Sequence, residues 1–175
     1  MLRGDTVYLR ALEADDLAFL YEIENDGSVW GLASDTLTPI SHYSLERYLD
    51  AAAADFYEVR QLRLVICAAA DGAAVGTVDL FNFEPHHRRA AVGIMVLQNR
   101  RRAGYAAEAL LLTQRYARRT LHLHQLYCTI AGNNQASLRL FRGAGFRRVG
   151  VRRQWLSTDV GWEDAVEMQC VLTGQ

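Results

Sequence analysis

The chain has 175 residues, half of them hydrophobic and 22% charged, with a formal net charge of −1 at pH 7. That length fills one core and is short for two, so a single domain over residues 1–175 is expected. Met1 to Arg10 lacks the apolar run of a signal peptide and no apolar stretch is long enough to span a bilayer, so a cytoplasmic protein without membrane contact is expected.

Thr6 to Arg10 alternates, with Val7 and Leu9 on one face, and reads as a short strand. Ala14 to Asn25 opens on acids and carries Leu17, Leu20 and Tyr21 at helical spacing, which predicts a helix ending near Asp26-Gly27. After a loop with Gly31 and Pro39, a second helix is predicted from Ser41 or Ser44 to Ala54. Leu62 to Ala69 and Ala74 to Phe81 read as strands joined by an Asp71-Gly72 turn. A turn at Pro85-His86 leads to a third strand, Arg89 to Leu97. The pattern then changes. A helix is predicted from Gly104 to about Leu121, a strand over Gln125 to Ile130, and a helix from Gln135 to Ala144 stopped by Gly145. Val149 to Leu156 and Glu163 to Leu172 close the chain as strands around a Gly161 turn. This order predicts an α/β fold, with a mixed sheet and helices on both faces.

The sharpest chemical signal is Arg101-Arg102-Ala103-Gly104-Tyr105-Ala106, between a strand and a helix. A glycine at a helix mouth lets backbone approach a bulky anion, and first-turn N–H groups and the helix dipole favour phosphate there. Arg100, Arg101 and Arg102 add positive charge. The chain also has a charge polarity: residues 1–63 hold 12 acids against 5 bases, and residues 64–175 hold 8 against 14. That division suits an anionic cofactor and a cationic acceptor, although ordinary variation in surface charge accounts for it equally well. The cysteines, Cys67, Cys128 and Cys170, are too widely spaced for a disulfide framework or zinc site and read as buried thiols. His122 and His124 lack a clustered third ligand, so no metal is expected. The near-neutral balance, without a recognised nucleic-acid module, argues against nucleic acid as partner.

The arginine–glycine segment resembles the Gln/Arg-x-x-Gly-x-Gly/Ala signature of the GNAT superfamily of N-acetyltransferases. Arg101, Gly104 and Ala106 take its three defining places. Downstream, Asn134-Gln135-Ala136-Ser137, Leu140-Phe141 and Gly145-Phe146 resemble the family's Asn-x-Ala-Ser…Leu-Tyr…Gly-Phe pattern. The likeness runs from Tyr8-Leu9-Arg10 to Trp162-Glu163-Asp164-Ala165. In the stretch His86-His87-Arg88-Arg89-Ala90 it is nearest to spermidine/diamine acetyltransferases, with ribosomal-protein N-terminal acetyltransferases next.

The resemblance implies the GNAT fold, a mostly antiparallel sheet flanked by helices, and acetyl-CoA as cosubstrate. It implies that the pyrophosphate sits on Arg101, Arg102, Ala103, Gly104, Tyr105 and Ala106. The pantetheine arm would lie along Met95, Val96 and Leu97, with Asn134, Ser137 and Phe141 also at the cofactor. Backbone N–H groups near Val96 and Leu97 would stabilise the oxyanion. Phe141 stands where many relatives carry a tyrosine that protonates the departing thiolate, so Tyr127 or Tyr105 is a possible substitute. The change also admits a module that binds CoA without catalysis. For the base, the candidates are Asp79, Glu84, His86 and His87, with Glu84 and Tyr127 taken forward as the catalytic pair. The acceptor, a small-molecule amine, would meet Glu22, Glu24, Asp26, Trp30 and Asp35, where carboxylates suit a polyamine and an indole suits an ammonium. A homodimer is expected from the family alone.

Overall fold

A computed structural model describes residues 2–27, 38–51 and 55–172. Trp30 and Asp35 lie outside the described residues, as does the predicted extension of the second helix through 52–54.

The chain begins with β1 (Val7–Ala11), a 3-10 turn over Ala14–Asp16 and α1 (Leu17–Glu24). The helix predicted over Ala14 to Asn25 is therefore divided. Asp16 causes the division: its carboxylate accepts the Glu13 N–H at 2.8 Å and both Arg10 guanidinium nitrogens at 2.6 and 2.7 Å. Burial alone would raise this carboxyl's pKa, but the Arg10 and Glu13 bonds hold it below the ordinary range. Next come α2 (His42–Ala51) and a one-turn helix, α3 (Phe56–Val59), which the sequence pattern did not predict. Asp55 caps α3 by accepting the Tyr57 N–H at 2.8 Å.

The meander is β2 (Leu62–Ala68), β3 (Ala74–Glu84) and β4 (Arg89–Val96). After it come α4 (Tyr105–Arg119), β5 (Gln125–Ala131), α5 (Gln135–Gly143), β6 (Arg147–Thr158) and β7 (Gly161–Val171). The sheet order is β1-β2-β3-β4-β5-β7-β6. Of these neighbours only β4 and β5 run parallel, and they pair only from Arg89↔Gln125 to Ala91↔Tyr127.

Each sheet face has its own core. Leu64, Ile66, Val78, Leu80, Val92, Leu126 and Ile130 pack with Ala109, Leu110 and Leu112 of α4 and with Phe141 and Phe146. On the opposite face, Leu20 and Ile23 of α1 and Leu45 of α2 pack with Met95 and Leu97. The period-2 alternation of the strands produces this division, because successive side chains point to opposite faces. Among the described residues no helix is long and apolar enough to cross a membrane.

Candidate active site

Beyond Ala91 and Tyr127 the two parallel strands part, and a wedge opens between them. Hydrogen-bond alternation identifies the groups that line it. Leu97 N–H donates to Val75 O at 2.9 Å, so Leu97, Met95 and Gly93 direct their peptides toward β3. The peptides of Val92, Ile94 and Val96 therefore face the wedge. On β5, Gly132 N–H donates to Asp164 O at 2.9 Å, which turns the even-numbered peptides toward β7 and those of Thr129 and Ala131 toward the wedge. The wedge is thus walled by two strand edges of about 16 Å whose peptides no longer pair with each other, although Val96 O takes the Arg101 Nε and Ala131 O the Asn134 N–H. Met95 and Leu97 pack their partly buried side chains against α1 and α2, and Val96 buries its own in the other core. Of the two expected oxyanion donors, Leu97 N–H is already engaged by Val75, and Val96 N–H points to the open edge.

Two helices start at the wedge's mouth. Gly104 is the N-cap of α4 at φ 81°, and its carbonyl accepts from Ala107 and Glu108 at 3.1 and 3.2 Å. A Cβ built on Gly104 meets no protein atom within 4 Å. The space above it is therefore open to a ligand, while the left-handed backbone itself selects glycine. Arg102 also has positive φ, 67°. Arg101 is exposed but tied back to β4, its Nε donating to Val96 O at 3.0 Å. Arg100, Arg102 and Ala103 are exposed, and Tyr105 and Ala106 lean on the main core. The second helix, α5, is capped by Asn134, whose Oδ1 accepts the Ser137 N–H at 3.0 Å. Phe141 is 4% exposed and meets Phe146 edge-on with ring centres 5.0 Å apart. Its ring packs in the main core.

At the wedge's closed end lies a cleft of about 640 Å³ lined by Arg60, Gln61, Phe81, Asn82, Glu84 and Tyr127. Arg60 and Asn82 both hold strained positive φ, 57° and 48°. The cleft brings Glu84 and Tyr127 together, but Glu84 is forked by Arg89, with three contacts of 2.9 to 3.0 Å. Burial and the Glu84 charge raise the pKa of Tyr127, against an opposing hydrogen bond with Asn82, so its phenol stays protonated at neutral pH. Cys128 is pushed up to about 12 by burial and by Glu167, which excludes a ready thiolate nucleophile.

On the α1–α2 face, Glu24, Ser44, Tyr48 and Arg63 line a pocket of about 390 Å³. Its floor is a buried charge cluster. Arg63 binds Glu24 at 2.5 Å and Asp79 at 2.6 Å, and its guanidinium lies 5.3 Å from the Tyr48 ring centre. Burial raises the Asp79 pKa, with Arg63 opposing. Of the expected acceptor residues, Glu24 belongs to this cluster, Asp26 is half-buried just past α1, and Glu22 is exposed on the helix. Among the described residues no group of three or more His, Cys, Asp or Glu side chains is arranged to hold a metal.

Residues 6–147 match the family described as the acetyltransferase (GNAT) domain. The chain belongs to the GNAT acetyltransferase family. It is 29% identical, over 94% of its own length and 93% of the relative's, to the probable N-acetyltransferase YjcK of Bacillus subtilis (strain 168). It is 24% identical to the spermidine N(1)-acetyltransferase of Escherichia coli (strain K12), over the whole chain and 90% of that enzyme. A crystal structure of spermidine N-acetyltransferase from Vibrio cholerae in complex with CoA and spermine superposes with a TM-score of 0.86, covering 97% of each chain at 22% identity.

Within this GNAT chain, three residues with structural roles at or beside the site escaped sequence reasoning. Arg63 interrupts the apolar run Leu62–Ala68, a signal that a charge on the inner face needs partners. Glu108 and Glu163 carry no such mark, because their partners are main-chain N–H groups distant in sequence.

Proposed function

We propose that this acetyltransferase moves the acetyl group of acetyl-CoA directly onto a primary amine of a small polyamine or diamine. The observation that carries the reading is the β4–β5 wedge, with peptide edges that have parted from each other and two helix N-termini at its mouth. A pantetheine arm, with its own amides, suits such edges as a third strand would. A pyrophosphate suits the Gly104 turn, where helix N–H groups, the dipole and the nearby arginines all favour anions.

An alkyl ammonium has a pKa of about 10.4, so freeing the amine at pH 7 costs about 4.6 kcal/mol. In this proposal the proton leaves through water in the cleft beside Gln61, Asn82 and Glu84. Glu84, forked by Arg89, contributes its charge there. The amine nitrogen attacks the thioester carbon, a wedge-facing peptide N–H of β4 steadies the oxyanion, and the C–S bond breaks. Tyr127, which keeps its proton at neutral pH, donates it to the departing thiolate and so takes the role that Phe141 cannot fill.

Two features support a cationic acceptor. The Glu24–Arg63–Asp79 cluster sets two carboxylates against one guanidinium, and a relative similar over the whole chain is a spermidine acetyltransferase. The test is release of free thiol from acetyl-CoA across spermidine, spermine, short diamines, aminoglycosides and peptides. Turnover with spermidine or diamines is expected. Turnover confined to peptides would overturn the acceptor class while keeping the wedge chemistry. No binding of acetyl-CoA would overturn both.

A further inference from the structure

Glu163 has no part in the chemistry above. It lies on β7 just past the last residue paired to β5, Ala165, where the β6–β7 hairpin extends beyond the sheet. Its Oε1 accepts the Asn133 N–H at 2.5 Å. The neighbouring Asp164 accepts the Gly132 N–H at its carbonyl at 2.9 Å. Gly132 is tightly placed: a Cβ there would stand 3.2 Å from Asp164 O and 3.8 Å from Glu163 Oε1. The Glu163–Asp164 pair is itself fixed from the other strand, because the Asp164 carboxylate binds Arg153 Nη1 at 2.6 Å and the Gln154 N–H at 2.9 Å. These bonds meet at the irregularity between Arg152 and Leu156 of β6.

The turn held in this way, Ala131 to Asn134, runs directly into α5. Asn134 N–H closes it onto Ala131 O at 2.9 Å, and the Asn134 side chain then caps the helix. The direction of the first turn of α5 therefore depends on a carboxylate from a strand more than twenty residues later. A helix N-terminus acts on an anion only over its first turn, so a small change of aim matters.

We propose that Glu163 is a positioning residue of the acetyl-CoA site, holding the Asn133 peptide so that the N-terminus of α5 is aimed into the wedge. This rests on the reading that acetyl-CoA occupies the wedge. The bond is charge-assisted, and the carboxylate sits at the surface, so its loss acts on the turn more than on global stability.

The experiment is calorimetric titration of acetyl-CoA into the full chain and into the E163A, E163D and E163Q variants, with thermal unfolding of each recorded without ligand. E163A removes the acceptor and E163D withdraws it by one methylene, so both should weaken binding about tenfold. E163Q keeps an oxygen that accepts the same N–H and should restore most of the affinity. Unfolding midpoints should stay within about 2 °C of wild type, as for a surface change. With the amine that the panel selects, KM for acetyl-CoA should rise in E163A while kcat and the acceptor KM stay put. Wild-type affinity in both E163A and E163D overturns the inference. So does E163Q binding as weakly as E163A, or a fall in kcat that tracks a lowered midpoint. If the wild type itself does not bind acetyl-CoA, the wedge reading fails first and takes this inference with it.

Discussion

Two regions of this molecule are built from different materials. The mouth, between Val96, Gly104 and Asn134, presents main-chain N–H and carbonyl groups, and its side chains are largely turned into the cores. The α1–α2 face presents charged side chains, with Arg63 clamped between Glu24 and Asp79. A site made of backbone tolerates many side-chain changes but not an obstruction of the backbone. A site made of buried charges tolerates almost no change of charge. In the proposed reading the first kind holds the cosubstrate and the second meets the amine.

Removing one charge is the largest test of that contrast. Arg63→Ala would leave two carboxylates facing each other at low exposure, 9% for the Glu24 side chain and 15% for Asp79. Stability should fall by about 3–5 kcal/mol in urea unfolding at pH 7, the range for an orphaned buried pair. The loss should shrink toward pH 5, because burial already raises the Asp79 pKa and, without Arg63 opposing it, that carboxylate takes up a proton and sheds its charge. A loss below about 1 kcal/mol at pH 7 would mean that the cluster does not frame this end. Arg63→Lys should lie between, keeping the charge but not the fork that reaches both partners.

At the mouth, Gly104→Glu should lower acetyl-CoA affinity about 100-fold or more, or about 2.7 kcal/mol. It obstructs backbone approach, strains a residue at φ 81° and adds a like charge. Calorimetry reads this directly, and unchanged affinity would remove the phosphate from this turn. At the closed end, Tyr127→Phe should reduce kcat about tenfold with acetyl-CoA affinity intact. The effect is modest because a thiol with a pKa near 8.5 is a tolerable leaving group without help. An unchanged kcat would leave Tyr127 as a wall of the cleft only.

The same contrast explains what could be read from the chain in advance. The mouth is local in sequence: a strand, a glycine turn and a helix follow one another, and each leaves its own periodicity and cap. Gly104, Asn134 and the meander were therefore legible. The parting of β4 from β5 was not, because it is a property of pairing between strands thirty-odd residues apart. Arg63 and Asp79 meet because the register of β2 on β3 sets them opposite each other, and Glu24 joins them only once α1 has docked. Phe141 was readable as a departure from the family pattern. That its ring belongs to the core required the packing of α5 against Phe146. The short α3 depends on a single Asp55 cap and the stacking of Phe56 on Phe83, 4.3 Å between ring centres, with too few residues to leave a period.

The smallest expected effect tests how the backbone-built end is anchored. Glu108, in the first turn of α4, accepts hydrogen bonds from Asp5 N, Thr6 N, Thr6 Oγ1 and Val7 N at 2.6 to 2.9 Å. Partial burial alone would raise its pKa, yet these four donors lower it to about 2. Its folded pKa thus lies below the unfolded value of about 4.3, so the bound carboxylate stabilises the fold above that value. This stability should be lost as pH falls from about 4.3 toward 2. Glu108→Gln should be less stable than wild type at pH 7, and the gap should close across that acid window. A gap that stays constant with pH would mean that the donors recognise the shape of the side chain and not its charge. In that case the α4 start, and the phosphate turn ahead of it, would be anchored to β1 by packing instead.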